Sequence, residues 1–129
     1  MSIFSKIVSG EMSAHKIYED INHLAFLDIF PMAKGHVLVV PKKEIDYIFD
    51  MNDTEYNQLL LLAKKISLAI KKVINCKRVS LNIVGLDVPH VHIHLIPINS
   101  ISDLNFEKKK LIFSEDEFKE IATLIRDAI

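Results

Sequence analysis

Apolar residues recur along most of this chain with a period of either two or three to four residues. The two-residue period predicts short strands at about 15–19, 23–27, 36–40, 78–84 and 89–97. The helical period predicts a short helix at 3–9, a long helix at 51–75 and a closing helix after Ser114. Asn52 with Glu55, and Ser114 with Glu117, are spaced as capping residues of the two longer helices. The pattern predicts an α+β fold, with an antiparallel sheet covered on one side by helices.

The stretch 89–97 carries half of the six histidines in the chain. They stand at every second position, with apolar residues between them: His90, Val91, His92, Ile93, His94 and Leu95. In a strand, side chains at i, i+2 and i+4 share a face, so we expect all three imidazoles on one face of the sheet. A single histidine is usually a satisfied core or surface residue, but three on one face favour chemistry. Two uses fit: metal ligation, and nucleophilic attack by one ring with the others donating hydrogen bonds.

Length and composition limit the possible classes. With 129 residues and 50% hydrophobic content, the chain is expected to form one domain over 1–129. Sixteen basic residues against seventeen acidic ones predict no general attraction to nucleic acid or membrane. A single cysteine, Cys76, and no signal-like or bilayer-length apolar run favour the cytoplasm. The three glycines are too scattered for a Walker loop or a dinucleotide-binding fingerprint.

The alternating histidines with apolar spacers resemble the signature of the histidine triad (HIT) family of nucleotide hydrolases and transferases, in its Hint-like branch. Three upstream blocks, at 3–11, 24–31 and 35–42, are similar to blocks of that family in the same order. The resemblance thus extends over about 3–97, far more than one short motif. It implies a five-stranded, meander-like antiparallel sheet with one long central helix and a C-terminal helix. It also implies a homodimer joined sheet to sheet.

The resemblance assigns the central histidine, His92, as the nucleophile. Its neutral imidazole is expected to attack the α-phosphorus of a nucleoside 5′-phosphoramidate or related adenylate and form a nucleotidyl-histidine intermediate. Imidazole suits this role because it is nucleophilic near neutral pH and leaves again when water attacks. His94 and His36 are expected to stabilise the phosphoryl oxygens, and His90 to brace the site. No cofactor is needed, and a bell-shaped pH-rate profile is expected.

The partner implied by the resemblance is a small AMP-like nucleotide. Asp28 matches the family acid that accepts hydrogen bonds from both ribose hydroxyls, which suits one carboxylate. Ile29 matches the apolar residue beside the base. Asn82 is a candidate for the family asparagine at the ribose-phosphate, although the loop from here to the triad is shorter than in the Hint-like branch.

The chain departs from the family pattern just before the triad. Many members carry glutamine where Leu86 stands, and leucine cannot donate a hydrogen bond to phosphate or leaving group. Asp87 follows, and we expect it to act as the leaving-group acid if the phosphate raises its pKa. Two alternatives stay open: a dinucleoside polyphosphate hydrolase, and a nucleotide-binding scaffold with little catalysis.

A second departure concerns metal. Some bacterial members bind zinc through an N-terminal Cys-x-x-Cys and a later histidine, and this chain has Ser2, Ser5 and Glu44 at those positions. No structural zinc is therefore expected. A histidine-ligated metalloenzyme is a further alternative, although no acidic ligand is in register with the triad. His15 and His23 match nothing in the family pattern and are expected on the surface.

Overall fold

The computed structural model describes all 129 residues and contains one five-stranded sheet. The strands are β1 (Lys16–Glu19), β2 (His23–Leu27), β3 (Val37–Pro41), β4 (Arg78–Asn82) and β5 (Ile93–Ile98). Their order is β1-β2-β3-β5-β4, and all neighbours are antiparallel. The predicted α+β class with a five-stranded antiparallel sheet is confirmed. The meander-like order is wrong, because the long helix between β3 and β4 places β4 at the sheet edge and β5 returns between them.

Three helices complete the fold: α1 (Ile3–Val8), α2 (Asp53–Val73) and α3 (Glu115–Asp127). Asn52 caps α2 by accepting the Glu55 backbone N–H at 2.8 Å. At α3, Ser114 accepts the Glu117 N–H at 3.1 Å and the Glu117 carboxylate accepts the Ser114 N–H at 2.9 Å. The two predicted helix starts are confirmed to within two residues, since capping depends only on near neighbours. No helix in the molecule has the length and apolar content needed to span a bilayer.

The two faces of the sheet are covered unequally. The large face packs against α2 and α3, and its apolar side chains are part of a cluster of 21 buried apolar residues. The small face, beneath α1, carries a cluster of six: Phe4, Ile7, Leu24, Phe26, Leu38 and Val40. Successive residues of β2 and β3 point alternately to these two clusters, and all five positions of each strand are buried. The central strands are thus nearly all apolar because both of their faces are covered.

The histidine stretch forms less strand than its alternation predicts. β5 begins at Ile93, so His90 and His92 precede the strand and only His94 lies within it. The reason is local pairing: β5 pairs with β3 only as far as Ile93, and the Val91 N–H donates instead to the Ile45 carbonyl at 2.7 Å. The predicted alternation of faces still holds, since Val91, Ile93 and Leu95 join the large-face cluster.

Neither of the two remaining predicted surface histidines lies free on the surface. His23 is 8% exposed, and its Nδ1 lies 3.0 Å from Asp20 Oδ1 in the β1–β2 turn. The His15 ring stacks on Phe118 of α3, with centroids 5.1 Å apart and planes 17° apart. The surface prediction for His15 was wrong because a residue near the other end of the chain, Phe118, covers its ring. A local sequence pattern does not indicate such a long-range contact.

Candidate active site

His92 is completely buried, and its two ring nitrogens have different surroundings. Nδ1 lies 2.7 Å from the backbone carbonyl oxygen of His90, which only accepts hydrogen bonds, so Nδ1 carries the proton. Nε2 then carries the lone pair, and it is the single buried side-chain nitrogen or oxygen in the molecule without a hydrogen-bond partner. Buried polar atoms are normally paired, so an unpaired one is a candidate for chemistry. The site thus contains an imidazole whose ring direction is fixed at Nδ1 and whose Nε2 is left without a partner.

The rings of His36 and His94 form a directed pair beside this atom. The Met32 backbone N–H donates to His36 Nδ1 at 3.1 Å, so the proton of that ring is on Nε2. His36 Nε2 lies 3.0 Å from His94 Nδ1 and donates to it, which leaves the His94 proton on Nε2. Burial, with a smaller effect of the Lys110 charge, lowers the pKa of His36 to about 3, and burial lowers that of His94 to about 4. Both rings are therefore neutral at physiological pH, and His94 offers an N–H donor.

His90 lies behind the site rather than in it. It is completely buried, and burial lowers the pKa of its imidazole. Its Nε2–H donates to the Pro41 carbonyl at 2.8 Å, and its Nδ1 accepts the hydroxyl of Ser2 at 2.7 Å. Its contribution to the site is the backbone carbonyl that fixes His92. This agrees with the bracing role expected for the first histidine of the series.

Two cavities meet at the histidines. The first, of about 240 Å³, is mostly apolar and lies along α1 and the small face, with His92 in its wall. The second, of about 390 Å³, is bordered by His36, Leu86, Phe106 and Lys110. Four residues line both cavities, namely Asp28, Phe30, Asp87 and His94. A ligand spanning the junction would place one end in an apolar pocket and the other near a lysine ammonium, with the histidines between them.

Of the other four predicted site residues, three line the cavities and one does not. Asp28 Oδ2 lies 3.5 Å from His36 Nε2, and Ile29, 54% exposed, lines the first cavity. Asp87 Oδ1 lies 3.4 Å from His92 Nε2 on a side chain that is 73% exposed. Asn82 pairs with His94 in the β4–β5 register, but its side-chain amide donates to Ser80 Oγ at 2.8 Å and lines neither cavity. The structure thus brings the histidines, Asp28, Ile29 and Asp87 together and leaves Asn82 outside both cavities.

Sequence reasoning missed three residues that contact or line the site. Phe4 of α1 packs edge-on against His92, with ring centroids 4.8 Å apart. Phe106 packs edge-on against His94 at 5.2 Å, and Lys110 donates to the Phe106 carbonyl at 2.6 Å. The last two lie in a polar, irregular stretch that carries no motif. Only the fold brings them over the site, through the backbone bond from the Leu111 N–H to the Pro31 carbonyl at 2.9 Å.

One group of side chains has the composition of a metal site. Ligand atoms of Asp28, His36 and His94 lie within 4.8 Å of one another, so the acidic ligand that the sequence pattern lacked is supplied by the β2–β3 loop. The proton directions oppose metal binding, however. His36 Nε2 carries the proton, and moving it to Nδ1 would set it against the Met32 N–H. A metal ligand must be a deprotonated nitrogen, so this donor set suits hydrogen bonding better than coordination.

Comparison with known proteins agrees with this geometry. The family model described as the HIT domain matches residues 9–101. Adenosine 5′-monophosphoramidase hnt1 of Schizosaccharomyces pombe is 40% identical over 96 residues, covering 74% of this chain and 72% of that protein. The crystal structure of a Hit-like protein from Bartonella henselae superposes with a TM-score of 0.85 at 28% identity, covering 99% of this chain and 96% of the other. A zinc-bound histidine triad family protein from Mycobacterium smegmatis superposes with a TM-score of 0.82 at 29% identity, covering 98% and 91%.

The five-stranded sheet and the alternating histidines identify a protein of the histidine triad class, a family that includes nucleotide hydrolases. The chain belongs to the HIT family, as the match over residues 9–101 shows.

The zinc of the Mycobacterium relative raises the question of whether this chain has a matching site. The positions singled out by sequence, Ser2, Ser5 and Glu44, do converge here, and His90 joins them. Zinc in structural sites takes thiolate, imidazole and carboxylate ligands in a tetrahedral set. Only Glu44 and His90 supply such groups, and the two serine hydroxyls do not. The residues present therefore do not fit a structural zinc.

Proposed function

We propose that the protein hydrolyses nucleoside 5′-phosphoramidates or related adenylates at the α-phosphate through a nucleotidyl-histidine intermediate on His92. The observation that carries this proposal is His92 Nε2, which has no hydrogen-bond partner and is buried in the wall of the first cavity, 3.4 Å from Asp87, a residue that lines both cavities. The name of the Schizosaccharomyces pombe relative, an adenosine 5′-monophosphoramidase, supports the choice of substrate.

The reaction divides into two displacements at phosphorus. In the first, the His92 Nε2 lone pair forms a bond to the α-phosphorus as the P–N bond to the leaving amine breaks, and the amine nitrogen takes up a proton. In the second, water attacks the same phosphorus and gives up a proton to Asp87, the P–N bond to His92 breaks with its electron pair returning to Nε2, and AMP is released. The fixed Nδ1–H to the His90 carbonyl keeps the reactive nitrogen in the correct tautomer through both steps.

Negative charge on the phosphoryl oxygens needs a donor that is already in place. His94 Nε2–H is such a donor, because His36 occupies its other nitrogen. The burial that keeps both rings neutral also excludes water, and a fixed donor is worth more in such an environment than in bulk solvent. Asp87, 3.4 Å from His92 Nε2 and open to solvent, is placed to relay a proton from solvent to the leaving amine and to accept a proton from the attacking water in the second displacement.

The nucleoside end fits the first cavity. Its walls are formed by α1 and the small face, which suit a base, and Ile29 lies at its border. Asp28 lines the junction, within reach of a ribose placed between base and phosphate. We assign Asp28 to the ribose hydroxyls and Ile29 to the base. Asn82 at the ribose-phosphate stays a prediction, because its amide is turned to Ser80.

A second candidate function is hydrolysis of dinucleoside polyphosphates. The observation that favours it is Lys110, which lines the second cavity and whose positive charge contributes to the lowered pKa of His36. An anionic phosphate leaving group would be attracted there. Leu86, 91% exposed, offers no hydrogen bond in compensation, so a neutral leaving group would rely on Asp87.

The test is a substrate panel with wild type and His92→Ala. We expect wild type to release AMP from adenosine 5′-phosphoramidate and to accumulate an adenylyl-enzyme visible by mass spectrometry. His92→Ala should lose at least about 10³-fold in turnover, the scale of nucleophile removal, while still binding AMP. His15→Ala, which lines neither cavity, is the matched control.

Three results would decide among the candidates. Faster cleavage of diadenosine polyphosphates than of phosphoramidates would select the second candidate. AMP binding without turnover in wild type would select a scaffold. Undiminished turnover by His92→Ala would refute the nucleotidyl-histidine mechanism. The homodimer implied by the family resemblance stays a prediction, and the sheet has two edge strands, β1 and β4, available to a second copy.

A further inference from the structure

Four side chains distant in sequence converge behind His92, and none of them is used in the proposed chemistry directly. Ser2 Oγ lies 2.7 Å from His90 Nδ1, across 88 positions of sequence. Ser5 Oγ donates to Glu44 Oε1 at 2.7 Å, and the Ser2 backbone N–H donates to the same oxygen. The group joins the start of α1, the segment after β3 and the loop before β5.

The directions of the short hydrogen bonds in this cluster follow from their partners, and Ser5 Oγ also makes longer contacts, at 3.3 Å to Ser2 Oγ and 3.5 Å to His90 Nδ1. The Pro41 carbonyl only accepts, so His90 Nε2 is protonated and His90 Nδ1 must accept. The Ser2 hydroxyl therefore donates to His90, while its oxygen accepts the Ser5 backbone N–H at 3.0 Å. The Ser5 hydroxyl is then left to donate to Glu44. Glu44 thus orients the Ser5 hydroxyl directly and holds Ser2 through its backbone N–H.

Glu44 is ionised under all ordinary conditions. The Ser2 backbone N–H and the Ser5 hydroxyl lower the pKa of its carboxyl to about 2. An ionised carboxylate has no proton to donate, so it cannot reverse the directions above. The ordering of the cluster is accordingly the same at every pH at which the protein would work.

The cluster is connected to the nucleophile by two routes. The first is covalent, because the carbonyl that holds His92 Nδ1 belongs to His90 itself. The second is packing: Phe4, two residues beyond Ser2, places its ring edge-on against both imidazoles, with centroids 5.8 Å from His90 and 4.8 Å from His92. A change in the seating of His90 or of α1 would therefore alter the direction of the His92 lone pair.

We propose that Glu44, with the hydroxyls of Ser2 and Ser5, forms a hydrogen-bonded clamp that positions His90 and, through the His90 carbonyl, the reactive nitrogen of His92. Ser2, Ser5 and Glu44 stand where some members of the family hold zinc, but their donor groups do not suit that metal. The clamp replaces metal coordination with hydrogen bonds at the same place in the fold. Glu44 is a positioning residue, since it touches neither cavity.

The first test removes the carboxylate. Glu44→Leu loses both bonds to Oε1, so His92 should leave its fixed tautomer, and ¹⁵N-histidine NMR should show its ring exchanging between the Nδ1–H and Nε2–H forms. Turnover should fall about 10- to 100-fold in kcat, as expected for a displaced reacting atom, with a smaller change in KM because Asp28 and Ile29 lie elsewhere. Glu44→Gln retains an acceptor oxygen and should recover most of kcat. Asp46→Leu, at an exposed site nearby, is the control.

The second test converts the clamp into a metal site. The triple variant Ser2→Cys, Ser5→Cys, Glu44→His presents two thiolates and one imidazole to His90 Nδ1. If the four positions converge as described, this variant should bind one zinc per chain by elemental analysis, and adding His90→Ala should abolish that binding. Zinc-loaded triple variant should again show His92 in the single Nδ1–H tautomer.

The effect on turnover rests on the proposed function, whereas the NMR and zinc measurements do not. A wild-type protein that cleaves no adenylate but shows the tautomer change in Glu44→Leu would refute the function and support the clamp. Wild-type kcat and an unchanged His92 tautomer in Glu44→Leu would overturn the clamp, as would a triple variant that binds no zinc.

Discussion

The two faces of the sheet differ in what they bury. On the large face, residues drawn mainly from the sheet, α2 and α3 form one cluster of 21 buried apolar residues. On the small face, four strand residues and two residues of the short helix α1 form a cluster of six, and the histidine cluster lies beside it. Both faces are built from the same strands, whose alternate residues point to one side or the other.

The difference shows why the chemistry is on the small face. A densely packed apolar layer leaves no space for a substrate and penalises any polar atom without a partner. The thinner cover of α1 leaves the first cavity beside it and allows one unpaired nitrogen, His92 Nε2, to stay buried. The large face supplies the rigidity that such an arrangement needs.

The largest effect is expected from a substitution that destabilises the large face alone. Ile66 of α2 is completely buried in the 21-residue cluster, so Ile66→Ala should lower the free energy of unfolding by about 2–5 kcal/mol. The kcat of the folded fraction should not change, because Ile66 lines neither cavity. Urea unfolding and kcat at low temperature measure the two quantities. Leu68→Ala, at a position 58% exposed on the same helix, is the control. A large fall in kcat without loss of stability would show that the faces are not separable.

A substitution on the small-face side should have an intermediate effect, on turnover, without loss of stability. Asp87→Asn removes the proposed leaving-group acid, and turnover of a phosphoramidate with a basic amine should fall about 100-fold. The 4-nitrophenyl ester of AMP, whose leaving group needs no proton, should undergo the first displacement nearly as fast as with wild type. Unfolding should be unchanged because the Asp87 side chain is 73% exposed.

Equal loss on the two substrates would assign Asp87 to binding or positioning instead. Unchanged turnover on both would remove Asp87 from the mechanism. Asp46→Asn, another exposed carboxylate, controls for the change in net charge.

The smallest expected effect is the stability that the protein loses at low pH because its histidines are buried. Burial lowers the pKa of His36 to about 3, whereas the same ring in the unfolded chain titrates near its ordinary value of about 6.5. Between these values the unfolded chain binds the proton and the folded chain does not, so stability is full above pH 6.5 and is lost as the pH falls. His36 alone should cost about 2 kcal/mol between pH 6.5 and 5.

Urea titrations of wild type and His36→Leu at pH 7, 6 and 5 measure this cost. The variant should lose less stability on acidification than wild type, although His94, whose pKa is lowered to about 4, preserves part of the slope. Equal slopes in the two proteins would show that His36 is protonated as readily in the folded state as in the unfolded chain.

Much of the fold was predictable because it depends on near neighbours. The Ser114–Glu117 cap, the α2 start at Asn52 and the β2 bounds follow from residues within a few positions of one another. The sheet order was not, since the placement of β5 between β3 and β4 depends on where α2 delivers the chain. The surface assignment of His15 failed for the same reason, because its cover comes from α3.

The structure brings most of the predicted site residues together, whereas nothing in the sequence indicated which ring nitrogens carry protons. The sequence pattern indicated both the alternation around His92 and the position of Asp28. The structure brings His92 and Asp28 together with His36. Phe106 and Lys110 had no local signal, since they lie in a stretch without periodicity.

By itself, the sequence determined which side chains alternate, where helices begin and which residue types are available for chemistry, because those properties are set by the intrinsic periods of strand and helix. Only the tertiary structure decided which nitrogen of each imidazole carries the proton. That choice depends on partners such as the Met32 N–H and the carbonyls of Pro41 and His90. Every residue type has such backbone groups, so the sequence does not show which of them will face an imidazole. The reactive lone pair of His92 is therefore a property of the fold, although the ring that carries it is a property of the sequence.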